Sequence, residues 1–201
     1  VTTAPRRGPF TLGLVLLGLV LLCGILQAQG AFAGVDHILI RAAGDARARV
    51  GQSLTPFAIL LSQATDVSGR FVMLALLALL FRRCWRQWLW LAGVTITAML
   101  LNMGLKHLFA AQRPDLIAHL DPTMTYSFPS GHASGNMAFF GALAVLIGTR
   151  WGWITAVPLI LLIGISRVLL GVHWPSDVIC GWIEGVAILL VANLWKPSKS
   201  Q

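Results

Sequence analysis

From residue 10 to residue 28 the chain carries no charged side chain. A helix needs about 20 apolar residues to cross the hydrocarbon core of a bilayer. Inside that core its backbone groups must satisfy one another. Five more apolar stretches follow, at 54–80, 88–109, 133–148, 153–170 and 178–195. The first of these is broken by Gln63, Asp66, Ser68, Gly69 and Arg70, so its crossing part is expected to start near Gly69, behind a buried or interfacial helix. Residues 36–49 mix apolar and charged side chains at helical spacing, which predicts an amphipathic helix on the membrane surface. The expected fold is therefore all-α: a single-domain integral membrane bundle over 1–201, with six transmembrane helices and a short amphipathic helix outside them. Its core should cover about 10–195.

Composition agrees with that reading. Of 201 residues, 57% are hydrophobic and only 11% charged, against roughly 25% in soluble domains. The net charge of +8 does not predict a nucleic-acid partner, because the basic residues are scattered at span ends and form no patch between aromatics. The eight Trp residues sit mostly near span ends, where amphipathic rings favour the interface. Cys23, Cys84 and Cys180 show neither metal-ligand spacing nor a framework of pairs and are expected to be small buried hydrophobes. The run 10–28 is long for the apolar region of a cleavable signal and is read as a retained span.

Charge also sets an orientation. With the N-terminus in the cytoplasm, Arg6, Arg7, Arg82, Arg83, Arg86, Arg150, Lys196 and Lys199 all fall inside, as the positive-inside rule favours. Arg41, Arg47, Arg49, Lys106, Arg113 and Arg167 fall outside, with Arg70 ambiguous. The presence of Lys106, Arg113 and Arg167 on that side is read as chemistry rather than topology. Ionisable groups in or near a span are costly and point to function.

Around those three cations the outer side gathers a distinct set of groups. Pro129, Ser130, Gly131 and His132 open the fourth span, Ser166 and Arg167 close the fifth, and His173 and Asp177 precede the sixth. Six spans bring all of these to one membrane face. Cations beside a helix N-terminus suit a phosphate group: Arg offers a planar fork of donors, Lys a point charge, and the helix end free N–H groups. Ser130 is a good N-cap, and Gly131 lets a ligand come close to the backbone. Pro175 suits the first position of the sixth helix, which puts Asp177 in its first turn, within reach of the His173 ring. An imidazole oriented in this way can attack phosphorus, while His132 protonates the departing alkoxide. No cluster of carboxylates suggests a metal, so no metal or cofactor is expected.

The segments KHLFAAQRP (106–114), PSGH (129–132) and SRVLLGVHWPSD (166–177) resemble, in order and spacing, the three signature motifs of the phosphatidic acid phosphatase type 2 superfamily. The resemblance implies metal-independent hydrolysis of a lipid phosphate or pyrophosphate. His173 would be the nucleophile that forms a phosphohistidine, Asp177 its orienting partner and His132 the general acid. Lys106, Arg113, Ser130, Gly131 and Arg167 would bind the phosphate. Bacterial members act on phosphatidylglycerol phosphate, undecaprenyl pyrophosphate, phosphatidic acid and lipid A phosphates, which implies the inner membrane with the site facing the periplasm or exterior. A lipid phosphotransferase on the same site and a non-enzymatic membrane protein remain competing readings. The six spans argue against the soluble haloperoxidases that share the motifs.

Other polar residues carry milder expectations. His37, His107 and His119 occupy no motif position. Asn102 and Asn136 are expected to make interhelical hydrogen bonds, Glu184 to pair internally, and Gly181 with Gly185 to allow close helix packing. The loop 115–126 is a place for headgroup selection.

Overall fold

The structure, a computed structural model, describes residues 7–198, with side chains over 8–49 and 54–198. Arg6 and Lys199, assigned above to the cytoplasmic side, lie outside the described residues. The described residues form seven α-helices: α1 Arg7–Ala28, α2 Ala33–Ala64, α3 Val67–Leu80, α4 Trp85–Phe109, α5 Gly131–Ile147, α6 Arg150–Leu169 and α7 Pro175–Ala192. Two 3-10 turns, Arg82–Cys84 and Asn193–Trp195, lead into α4 and out of α7.

Local chemistry sets the ends that matter for the site. At the α2–α3 junction the Asp66 carboxylate caps Gly69 N at 2.7 Å, and the chain bends by 61°. A Cβ on Gly69 would sit 2.1 Å from Ala64 O, so this corner needs glycine. Ser130 caps α5, and α5 ends on Gly148 in the left-handed region at φ +69°. α7 starts with Pro175 at its first position, and the Asp177 carboxylate accepts from Trp174 N at 2.9 Å.

α5 lies in the middle of the bundle against α4, α6 and α7; α1 packs on α7, and α2 on α6. Small residues allow the α5–α7 contact. A Cβ on Gly181 would come within 2.6 Å of Ser130 O, and one on Gly185 within 2.6 Å of Met137 Cβ. The main apolar core joins α3, α4, α5 and α7 through Leu74, Leu91, Val94, Phe139 and Leu189. Large apolar side chains on α1 and elsewhere, among them Val15, Leu22, Leu80 and Leu89, face outward. In a multi-pass membrane protein that surface meets lipid tails rather than water.

Among the described residues, four helical segments are long and apolar enough to cross a membrane: Gly8–Ala28, Arg82–Phe109, Arg150–Leu169 and Pro175–Trp195. The bent pair Leu54–Ala64 and Val67–Leu80 makes a fifth if it is one broken span. Gly131–Ile147 is apolar but has only 17 residues. The amphipathic stretch differs from expectation: it is no separate short helix but the first half of α2, which runs for 32 residues. Nor does it lie free on a surface. Asp36 is buried and accepts from Ser176 N (2.9 Å) and Ser176 Oγ (2.6 Å), while Arg47 donates to Ala118 O at 2.9 Å and Leu169 O at 3.2 Å. The polar face of the helix is thus spent on capping the site end of the bundle.

Candidate active site

The N-terminus of α5, the C-terminal ends of α4 and α6, and the turn before α7 converge on one end of the bundle. Between them and the α2–α3 corner lies a cavity of about 370 Å³. Lys106, Arg113, Gly131, His132, Arg167 and His173 all line it. Ser130 and Asp177 are fully buried just behind: Ser130 as the cap of α5, its N–H on Asp177 O at 3.0 Å, and Asp177 beneath the His173 ring. All eight residues singled out in the three motifs therefore meet in one place.

Each cation is held by carbonyls or a carboxylate, which fixes its aim. Lys106 is 8% exposed and donates to Tyr126 O and, at 3.1 Å, to Ser127 O. Arg113 donates to Thr125 O at 2.8 Å, Val172 O at 2.5 Å and Tyr126 O at 3.2 Å. Burial, then repulsion from Arg167, lowers the Arg113 pKa to about 10, so it stays charged at neutral pH. Arg167 pairs with Asp121 at 2.6 Å and donates to Ser62 Oγ. Burial alone would raise the Asp121 pKa, but the hydrogen bonds from Arg167 and Ser62 win and hold it below the usual carboxylate range.

The two histidines line the cavity from different elements, His132 from α5 and His173 from the turn before α7. His173 lies 3.4 Å from Asp177 Oδ2 through Nδ1 and 3.4 Å from Arg113 Nη1 through Nε2. Asp177 is itself fixed by Ser127 Oγ (2.5 Å), Trp174 N (2.9 Å) and Gln27 Nε2 (2.8 Å). These partners assign the Nδ1–H tautomer to His173 and leave the Nε2 lone pair to the cavity. Burial, reinforced by Lys106, Arg113, Arg167 and His132, holds the His173 pKa well below its ordinary value, so the ring is neutral and can act as a nucleophile. His132 projects from the first turn of α5 to within 3.2 Å of Ser62 O and 3.3 Å of Ser62 Oγ. Asn136, one turn on, donates to His132 O and Thr65 O, both at 2.9 Å, and ties this turn to the α2–α3 corner.

The remaining sequence expectations resolve simply. Asn102 donates to Glu184 Oε2 at 2.8 Å, which gives that buried acid an internal partner. His37 stacks near Trp174, His107 near Tyr126, and His119 contacts Pro114 O at 2.5 Å; none lines the cavity. The three cysteines are free, but only Cys180 is buried as expected; Cys23 and Cys84 are half-buried, because their helix positions lie at the edge of the packed core. Ser62, Arg70, Asp121, Ser127 and Gln27 join the site without belonging to any of the three motifs. Arg70 and Asp121 carried a signal, one as a charge inside an apolar stretch and the other as an acid between two motifs. Ser62, Ser127 and Gln27 carried none.

A neutral, oriented imidazole, three fixed cations, a helix N-terminus and a second histidine line one cavity at one end of the bundle, an arrangement that suits a phosphoryl group. The comparisons with known proteins agree. The PAP2 superfamily profile matches residues 87–201, more than half of the chain, and the chain belongs to that family. An undecaprenyl-diphosphatase from Sulfolobus acidocaldarius is 36% identical over 115 residues, 54% of this chain and 55% of the relative. A decaprenylphosphoryl-5-phosphoribose phosphatase from Mycobacterium tuberculosis is 35% identical over 122 residues, 59% of this chain and 67% of the relative. The matched stretch thus spans little more than half of the first relative and about two thirds of the second. The crystal structure of a transmembrane PAP2 type phosphatidylglycerolphosphate phosphatase from Bacillus subtilis superposes with a TM-score of 0.81 at 25% identity, covering 90% of this chain and 94% of that one.

Proposed function

We propose that the protein hydrolyses a lipid phosphate or diphosphate without a metal ion, through a phosphohistidine on His173. The terminal phosphoryl group sits among Lys106, Arg113, Arg167 and the N-terminus of α5. His173 Nε2 attacks phosphorus in line. His132, protonated to the imidazolium beside the bound phosphate anion, gives a proton to the leaving oxygen, then as neutral imidazole takes one from the water that hydrolyses the N–P bond. Asp177 stabilises the positive charge that the ring gains when the N–P bond forms. The three cations stabilise the phosphoryl oxygens throughout.

The observation that carries this reading is the His173 ring on the cavity wall, with Nδ1 on the Asp177 side and Nε2 beside Arg113. The phosphatases among the relatives support lipid phosphates as the substrate class. The chain is read as one membrane domain that crosses six times, counting the bent α2–α3 pair and the short α5 as spans. Its N-terminus is cytoplasmic, and the site faces the periplasm or exterior of a bacterial inner membrane.

The test is phosphate release by the full chain in detergent with EDTA present, from phosphatidic acid, phosphatidylglycerol phosphate and undecaprenyl diphosphate. Release that survives EDTA and disappears in a folded His173→Ala variant is the expected result. Release that requires an added divalent cation, or that persists in the variant, refutes the mechanism. Phosphate passed to an acceptor lipid instead of water would make the protein a phosphotransferase.

A further inference from the structure

Arg70 has no place in the mechanism above, yet it is 3% exposed and lines the same cavity. Its guanidinium lies against α5 over Gly135, where a Cβ would meet Arg70 Cζ at 2.6 Å. Nη1 donates to Thr65 O at 2.9 Å, and Nε is buried without a partner. Asp66, one turn earlier, is occupied at Gly69 N, and among the described residues no carboxylate forms an ion pair with Arg70. A buried, unpaired cation in an apolar helix is costly to keep, and its remaining donors call for an anion.

Its position indicates which anion. Gly135 follows His132 by one turn of α5, so Arg70 sits about 4.5 Å further along that helix than the proposed acid, and its charge acts on His132. Thr65 O receives both Arg70 and Asn136, and Asn136 also holds His132 O, so the two groups share one small scaffold. Arg70 therefore stands on the leaving-group side. When a phosphomonoester is cleaved, the leaving group is an alkoxide, and His132 alone neutralises it. When a diphosphate is cleaved, the leaving group is a phosphate whose charge grows as the bridging bond breaks, and a cation at that point acts in the transition state.

We propose that Arg70 binds the inner phosphate of a lipid diphosphate and makes the protein selective for diphosphates over monoesters; this rests on the hydrolase reading above. The His173 Nε2 lone pair forms the N–P bond to the outer phosphorus. The bond from that phosphorus to the bridging oxygen breaks, and its electron pair stays on the oxygen, which takes the His132 proton. The lipid monophosphate leaves. Water then adds to phosphorus, the N–P pair returns to Nε2, and a water proton restores His132. The sum is lipid diphosphate plus water to lipid monophosphate plus phosphate.

The experiment compares kcat/KM for undecaprenyl diphosphate and phosphatidic acid in wild type, Arg70→Gln, Arg70→Lys and Gly135→Ala. Gly135→Ala keeps the charge but pushes the guanidinium aside. Binding of inorganic pyrophosphate and orthophosphate is measured on the same proteins by thermal shift. A charge-assisted hydrogen bond lost in the transition state lowers rate by about 10- to 100-fold. Arg70→Gln and Gly135→Ala should therefore lower the diphosphate-to-monoester ratio at least about tenfold, with partial recovery in Arg70→Lys. Equal losses on both substrates, or no loss on either, overturn the assignment. If wild type releases no phosphate at all, the hydrolase reading fails by itself. Pyrophosphate binding then decides: loss in Arg70→Gln relative to orthophosphate upholds Arg70 as a diphosphate ligand, and unchanged pyrophosphate binding overturns it.

Discussion

Replacing Asp177 with Asn tests the negative charge beside the proposed nucleophile, His173, without disturbing its surroundings. Asp177 Oδ2 faces Ser127 Oγ, Trp174 N and His173 Nδ1, and Oδ1 faces Gln27 Nε2. An asparagine can keep its oxygen on the Oδ2 side, so all three donors there retain an acceptor. Its NH2 then meets Gln27, whose Oε1 is buried without a partner and accepts after a flip of the amide. The fold should therefore lose no more than about 1 kcal/mol. The reaction loses much more. A carboxylate about 4 Å from the positive charge on the phosphorylated ring contributes about 4 kcal/mol at an effective dielectric of about 20. Each 1.4 kcal/mol is a factor of about ten, so kcat should fall by about 10³ while KM moves little. The assay is steady-state phosphate release in detergent, with thermal unfolding of the same sample as the control. An Asp177→Asn protein that melts with wild type and turns over within about tenfold of it would refute the role of this carboxylate.

Three further outcomes are expected. Gln27→Leu removes a neutral donor from Asp177 Oδ1 and should lower kcat by about tenfold, much less than loss of the carboxylate, in the same release assay. His132→Ala should slow poor leaving groups far more than good ones; a leaving-group series measures this, and equal effects would exclude an acid role. Asp121→Asn removes the carboxylate that occupies Arg167, so orthophosphate should inhibit at lower concentration. The same variant gives a pH test. The folded pKa of Asp121 is depressed, so its stabilisation is fully present above the unfolded value of about 3.9 and is lost as pH falls through the lower folded value. Melting curves of wild type and Asp121→Asn should differ at neutral pH and converge in acid.

The loop that carries Asp121 also gives the buried Arg167 its counter-charge: the Asp121 carboxylate accepts from both Arg167 and Ser62. On the proposed reading, a phosphoryl oxygen that takes these donors replaces one anion with another instead of neutralising an isolated cation.

Much of this protein is written locally. Apolar runs of span length mark helices, because a bilayer allows few alternatives, and Ser130, Gly148 and Pro175 mark where helices start and stop through chemistry confined to one turn. The motif residues Lys106, Arg113, His132, Arg167, His173 and Asp177 stand out as ionisable groups whose cost in an apolar chain demands a use. The end of the 36–49 helix was not legible, because amphipathic character marks a face and not a terminus; only its seat against α6 and α7 shows that it continues into the broken span. The partners of the motif residues were not legible either. Gln27 reaches Asp177 across 150 positions and Ser62 reaches Arg167 across 105. A serine or glutamine in a span costs too little to announce itself, and its role exists only once helix packing sets it opposite a charge. Arg70 lies between these cases: the sequence alone determined that a cation stands in that apolar stretch, and the tertiary structure decided that it lines the cavity, because past the 61° corner its guanidinium packs against α5 where Gly135 carries no side chain.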